Sequence, residues 1–207
     1  MSRRPLVCAH RGASVAHQEN TMAAFSAAVE MGADMIETDI RRTRDGRLVL
    51  HHDPLSDESP AADHLEDLIE FAADRVALDI ELKESGYEEQ VLELLNPRPN
   101  GLLVSSFLPE AVSAVRSVDG SVWAGLIVGR GYPGDPIRAA DGCGADVLVV
   151  HSSVFAPELS RRAAHEGIGI FVWTVNHPEE LRPLMAHDTL MGVITDMPDV
   201  AVRVRAA

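Results

Sequence analysis

Short apolar runs alternate along this chain with longer stretches in which apolar residues recur every third or fourth position. The runs fall at 6–9, 35–40, 76–82, 102–106, 122–128, 147–150, 169–175 and 192–195. Bounded by turn residues and apolar on nearly every position, they read as parallel strands covered on both faces. Helical periodicity fills the gaps, near 21–31, 65–73, 87–95, 109–118, 136–142, 157–166, 178–186 and 199–205. In the first of these, Met22, Phe25, Ala28 and Val29 share a face. Asn20 reads as the N-cap of that helix and Gly32 as its stop.

A further extended run, 48–52, follows the second strand after Thr43-Arg44-Asp45-Gly46. That link is too short for a parallel crossover, so it predicts a hairpin extending strand two. With the hairpin set aside, eight strand–helix pairs remain. They predict an α/β fold, a single TIM (β/α)8 barrel over residues 1–207. A doubly wound open sheet is the alternative, but no Gly-rich phosphate loop follows the first strand. At 207 residues the chain is short for a barrel, which typically has about 250, so its loops must be short. The turn-rich stretch 53–63 reads as a loop over the barrel top.

Charge narrows the function. The formal net charge of −14 excludes nucleic acid as a partner, because such binders need a basic surface. A small anionic substrate stays compatible if a bound divalent cation reverses the local potential. Cys8 and Cys143 fit no metal spacing and read as buried, reduced thiols. The apolar stretch at 6–10 is too short for a signal peptide, and no run is long enough to span a bilayer. A cytoplasmic protein without a transmembrane segment is expected.

Catalytic groups of a β/α barrel lie at the carboxyl ends of its strands. Glu37 and Asp39 are two apart at the end of strand two and share a face. Asp79, Glu81 and Lys83 share a face at the end of strand three. Neighbouring strands should therefore bring Glu37, Asp39 and Glu81 into one small volume, where three carboxylates cannot all stay ionised uncompensated. A divalent metal ion resolves the conflict, and hard oxygen ligands favour Mg²⁺ or Ca²⁺, or Mn²⁺. The competing reading is an ion-pair cluster with Arg11 and Lys83. His10 and His52, at strand ends beside this cluster, suit a general base and acid for phosphodiester cleavage. Arg11 and Lys83 suit the non-bridging phosphate oxygens.

The same residues form an ordered set of motifs. His10-Arg11-Gly12, Glu19-Asn20-Thr21, Glu37-Thr38-Asp39, Thr43 with Asp45-Gly46, His52-Asp53, Glu81-Leu82-Lys83, Ser106-Phe107, Trp173-Thr174-Val175-Asn176 and Thr195-Asp196 together resemble the glycerophosphodiester phosphodiesterase family from about residue 6 to 198. The resemblance implies a TIM barrel that hydrolyses glycerophosphodiesters to glycerol 3-phosphate and an alcohol. It implies His10 and His52 as base and acid, and Glu37, Asp39 and Glu81 as metal ligands. Arg11 would contact phosphate, Lys83 matches the family lysine, and Trp173 would line the substrate pocket. It further implies attack by the substrate's own glycerol hydroxyl, through a cyclic phosphate. The chain departs from the pattern at Gln18, where the family has Pro. It departs again between His52 and Glu81, where the family's small insertion subdomain is largely absent.

Two alternatives use the same site: a phospholipase D-like activity on lysophospholipids, and a catalytically silent barrel that binds metal or phosphate. Asp79 reads as a buried hydrogen-bonding residue, Asp53 as the orienter of a loop or of His52, and Asn20 as a helix cap or substrate contact. Asp196 reads as a cap or orienter of the last helix. Trp123 reads as core or helix-packing surface. His151 ends strand six within reach of the site mouth.

Overall fold

The computed structural model describes residues 4–207. Nine strands and eight helices alternate in the order the hydrophobic pattern predicts. The strands are β1 (Leu6–His10), β2 (Met35–Arg42), β3 (Leu48–Leu50), β4 (Ala77–Leu82), β5 (Leu103–Ser106), β6 (Trp123–Val128), β7 (Val147–His151), β8 (Gly169–Trp173) and β9 (Gly192–Thr195). The helices are α1 (Met22–Glu30), α2 (Leu65–Ala72), α3 (Glu88–Leu94), α4 (Pro109–Val118), α5 (Pro136–Cys143), α6 (Pro157–His165), α7 (Pro178–Met185) and α8 (Pro198–Ala206).

Every strand but β3 pairs in parallel with a neighbour on each side, and β1 joins both β9 and β2, so the sheet closes into an eight-stranded barrel. The short β3 pairs antiparallel with the top of β2, Ile40 opposite Leu50. This is the expected hairpin, and it stands outside the ring. Gly46 supplies the positive φ of its turn, and the Thr43 hydroxyl accepts from Arg47 N–H. No helix of the described residues is long and apolar enough to cross a membrane. Cys8 and Cys143 are free and buried, as expected.

Alternation sorts each strand into two layers. Residues such as Val7, Ile36, Ile40, Leu78, Ile80, Val104, Leu148 and Val172 face the helices and form the larger core. A smaller apolar cluster of Cys8, Met35, Leu103, Ile127, Val147, Val149, Phe171 and Ile194 fills the barrel itself. Above it the interior positions turn polar, and that change of chemistry marks the end of the barrel carrying the site. One expectation fails at the opposite end. Trp123, first residue of β6, is 44% exposed, because the strand begins there before the helices close over it.

The turn after β1 is tight. Arg11, Gly12 and Asn20 all have positive φ, and a Cβ on Gly12 would come within 2.7 Å of the Ala24 carbonyl carbon. The backbone of the turn is thus pressed onto α1, while Gly46 has a similar φ and open space around it. Gly46→Ala should cost about 1 kcal/mol from φ alone. Gly12→Ala should cost roughly 3 kcal/mol or more, because overpacking adds to the same backbone penalty. Urea denaturation of the two variants measures the difference, and equal losses would show that the turn can retreat from α1.

Candidate active site

The β2–β4 register sets the site. Asp39 lies opposite Glu81 and Glu37 opposite Asp79, while His10 on β1 lies opposite Glu37. All of these side chains occupy interior positions, so the barrel mouth collects them. Glu37, Asp39 and Glu81 are buried, and one oxygen from each lies within 4.8 Å of the others. The convergence expected of strand ends two residues apart is therefore present.

The carboxylates are engaged unequally. Asp39 has cations on both sides, Arg11 Nε 2.9 Å from Oδ2 and Lys83 Nζ 2.8 Å from Oδ1. Both contacts are off the line of a hydrogen bond, and neither Arg11 Nε nor Asp39 Oδ1 gains an aligned partner from them. Lys83 Nζ also lies 2.5 Å from Glu81 Oε1, and Arg11 reaches on to both oxygens of Glu19 at 3.0 Å. Glu37 Oε2 accepts from the backbone N–H of Arg11 at 3.0 Å. Glu37 Oε1 is buried with no hydrogen-bond donor among the described residues.

Protonation follows from this inequality. Burial pushes the Glu37 carboxyl well above the usual range, and Asp39, Glu81 and Asp79 add to the shift. Burial raises Glu81 too, against the pull of Lys83. Asp39 is also penalised by burial, yet Lys83 and Arg11 outweigh that and hold it below the usual range. Asp79, below the three, is raised to about 7, chiefly by burial, while its bond from Ser105 lowers it.

Two of these groups therefore coexist only because cations flank them, and the third has an orphaned oxygen. Hard oxygens converging with spare acceptor capacity suit a divalent ion such as Mg²⁺ or Ca²⁺. Both readings of the sequence are thus partly realised. The salt links exist, and they leave Glu37 uncompensated.

The two histidines face the same cavity and are held differently. His10 Nδ1 lies 2.6 Å from Asp196 Oδ1, which leaves Nε2 toward Glu37 Oε2 at 4.0 Å. Asp196 also accepts from Ser14 Oγ and Asn176 Nδ2. His52 Nδ1 lies 2.8 Å from Asp53 Oδ1, the orienting role expected of Asp53. The His52 carbonyl accepts from Arg41 Nε at 3.1 Å and Nη2 at 2.9 Å.

Opposite the charged groups, Trp173 donates its indole N–H to the Val149 carbonyl and packs edge-on against Phe107 and His151, with ring centroids 5.7 and 5.3 Å away. His10, Arg11, Glu37, His52, Glu81, Lys83 and Trp173 all line one cavity of about 110 Å³, with Asp79 and Ser105 deeper in it. Asp39 stands behind them, sealed by Arg11 and Lys83.

The family model for the glycerophosphoryl diester phosphodiesterase family matches residues 10–89 and 61–200. The chain belongs to this family. That membership places it among the phosphoric diester hydrolases. A glycerophosphodiester phosphodiesterase of Caldanaerobacter subterraneus is 27% identical, with 96% of this chain and 97% of that protein covered. The crystal structure of a glycerophosphodiester phosphodiesterase from Thermotoga maritima superposes with a TM-score of 0.83 at 27% identity, over all of both chains. An Oleispira antarctica phosphodiesterase, solved in complex with its product sn-glycerol 3-phosphate, shares the fold with a TM-score of 0.85 at 22% identity, covering 99% of this chain and 98% of its own.

Within this phosphodiesterase fold, two expectations need correction. Asn20 does not cap α1. Thr21 does, its hydroxyl accepting from Ala24 N–H. Asn20 instead turns its buried amide onto β2, donating to Asp39 Oδ2 and accepting from Thr38 Oγ1 and Asp39 N–H. Asp196 does not cap α8, whose N-cap is Met197; its carboxylate is spent on His10, Ser14 and Asn176. Arg11 and Lys83, expected on phosphate oxygens, line the same cavity while Arg11 pairs with Asp39 and Glu19 and Lys83 with Asp39 and Glu81. The link from Arg41 to His52 had no signature in the sequence. The Asp196–His10 contact had one: with Cys8 opposite Ile194, the next interior positions of β1 and β9 are His10 and Asp196.

The carboxylate crowding makes stability depend on pH. An acid raised in the folded chain destabilises the fold progressively as pH climbs from its unfolded value to its folded one. For Asp79 that window runs from the ordinary aspartate value of 3.8 to about 7. In a chelator-treated sample, Asp79→Asn should be more stable than wild type at pH 8, by on the order of 4 kcal/mol at most. The gap should close toward pH 4. Urea denaturation across this range measures it, and a gap independent of pH would contradict the burial account.

Proposed function

We propose that the protein hydrolyses small glycerophosphodiesters to glycerol 3-phosphate and an alcohol, with Glu37, Asp39 and Glu81 holding a divalent ion, Mg²⁺, Ca²⁺ or Mn²⁺. The observation that carries this reading is the orphaned Glu37 oxygen at the centre of three converging carboxylates, with two histidines on the same cavity. Family membership and the product found in the Oleispira relative support the substrate class.

When bound, the ion withdraws charge from the phosphate and favours the transition state. The chain's own residues do the rest. Asp196 accepts from His10 Nδ1, so the ring presents Nε2 to the cavity as a proton acceptor or, once charged, a donor. Asp53 holds His52 in the same way, and Arg41 fixes the His52 backbone. The two imidazoles thus share the tasks of taking a proton from the attacking hydroxyl and returning one to the departing alkoxide. Arg11 and Lys83 line the cavity, and their spare N–H groups can meet phosphate oxygens while their charge stays shared with Asp39. Trp173 offers an apolar face to substrate carbons. The 51–64 segment, without regular secondary structure, stands where the family carries its insertion and leaves the His52 side of the mouth open.

Release of glycerol 3-phosphate from glycerophosphocholine, with each metal in turn, tests the reading. Turnover should vanish in chelator and return with one or more of the three ions. His10→Ala and Glu81→Gln should each lower kcat by on the order of a hundredfold or more. Near-full activity in either variant would refute its role. Preferred turnover of lysophosphatidylcholine would replace the small-diester reading with the lipid one, and no turnover of any diester would favour the silent barrel.

A further inference from the structure

Below the carboxylates the cavity floor is apolar, made of Ile127, Val149 and Ile194, except at one point. Asp79, one interior position deeper than Glu81 on β4, is 1% exposed. Its Oδ1 accepts from Ser105 Oγ on the adjacent β5 at 2.7 Å. Its Oδ2 takes no hydrogen bond from any described residue, yet it is not sealed off, because Asp79 borders the cavity. A buried carboxyl oxygen with no donor is costly, and inner barrel layers are ordinarily filled by branched apolar side chains. Packing alone does not explain an acid at this position. Metal binding does not explain it either, since the converging oxygens are those of Glu37, Asp39 and Glu81.

The neighbourhood is built around this pair. Gly125 lies opposite Ser105, and a Cβ there would press within 3.1 Å of Ser105 Cβ and 3.2 Å of Leu103. Glycine therefore leaves Ser105 uncrowded on that side. The cavity floor is polar at this one edge and apolar across from it. That is the complement of a short polyol, whose hydroxyls point one way and whose carbons can rest on Ile127, Val149 and Ile194. A quaternary ammonium headgroup has no N–H to give an unpartnered carboxyl oxygen. It is also better served at the outer side of the mouth, where His52 is 39% exposed.

We propose that Asp79 and Ser105 form a hydroxyl-recognition point for the polyol half of the diester, so that the glycerol enters the barrel and the leaving alcohol faces solvent. This deepens the glycerophosphodiester reading and rests on it. Asp79 and Ser105 are specificity residues, and the chemistry stays with the groups above them.

The test compares kcat/KM on glycerophosphocholine with kcat/KM on bis(p-nitrophenyl) phosphate, a diester with no hydroxyl, at saturating metal. Ser105→Ala and Asp79→Leu should lower the ratio of the two roughly tenfold to a hundredfold. Asp79→Asn, which keeps a polar group at the same place, should retain most of the ratio. An equal fall on both substrates, or an unchanged ratio, would overturn the proposal by assigning the pair to the fold or the metal site. Ser105→Ala decides the matter if Asp79→Leu does not fold. A loss seen with glycerophosphoethanolamine but not glycerophosphocholine would also overturn it, placing the contact on a headgroup amine. Wild-type protein that cleaves the aryl diester but not glycerophosphocholine would sink the underlying functional reading, a result distinct from any change of ratio among variants.

Discussion

Three carboxylates share one buried volume because the β2–β4 register leaves them nowhere else to go. Two unit charges 4.8 Å apart repel by about 3–4 kcal/mol at an effective dielectric constant near 20. A fold of ordinary stability cannot absorb several such terms unanswered. Arg11 and Lys83 answer for Asp39 and part of Glu81, and Glu37 is left over. The site is therefore held under electrostatic tension that a divalent ion would relieve, and stability is given up locally.

That tension explains the unusual backbone between β1 and α1. Arg11 and Asn20 both adopt positive φ, a cost few non-glycine residues bear without compensation. The compensation is visible. The Arg11 N–H meets Glu37, its guanidinium lies against Asp39, and the Asn20 amide meets Asp39 and Thr38. A relaxed turn would withdraw these donors from β2 and leave its acids less supported. Gly12, pressed on α1, lets the turn come close enough to supply them.

These dependencies decide what could be read from the residues alone. The strands, the hairpin and the converging acids were legible because parallel barrels impose period-two alternation on runs apolar on both faces. Asn20 was misread because its position before a helix is the ordinary place of a cap, and only the left-handed turn sends its amide to β2 instead. Asp196 was misread for the same reason, its partner lying across the closure of the barrel, 186 residues away. Arg41 carries no pattern at all, since it acts on a backbone carbonyl and any residue at position 52 would offer one. Trp123 shows the limit of hydropathy at a strand's first residue, where the covering layer has not begun.

The strongly acidic composition, which at first argues against an anionic substrate, looks different once charge is followed inward. Net charge governs long-range approach, and solvent screens exposed charges beyond about 8–10 Å. Arg11 and Lys83 are both largely buried beside the cavity, with side chains only 16% and 10% exposed. In that low-dielectric setting a cation acts with less screening than any surface carboxylate. Without the acids these cations would be costly to bury, and without the cations Asp39 would lose what holds its carboxyl below the usual range. The acidic cluster is thus what allows positive charge to be held at the mouth of an acidic protein.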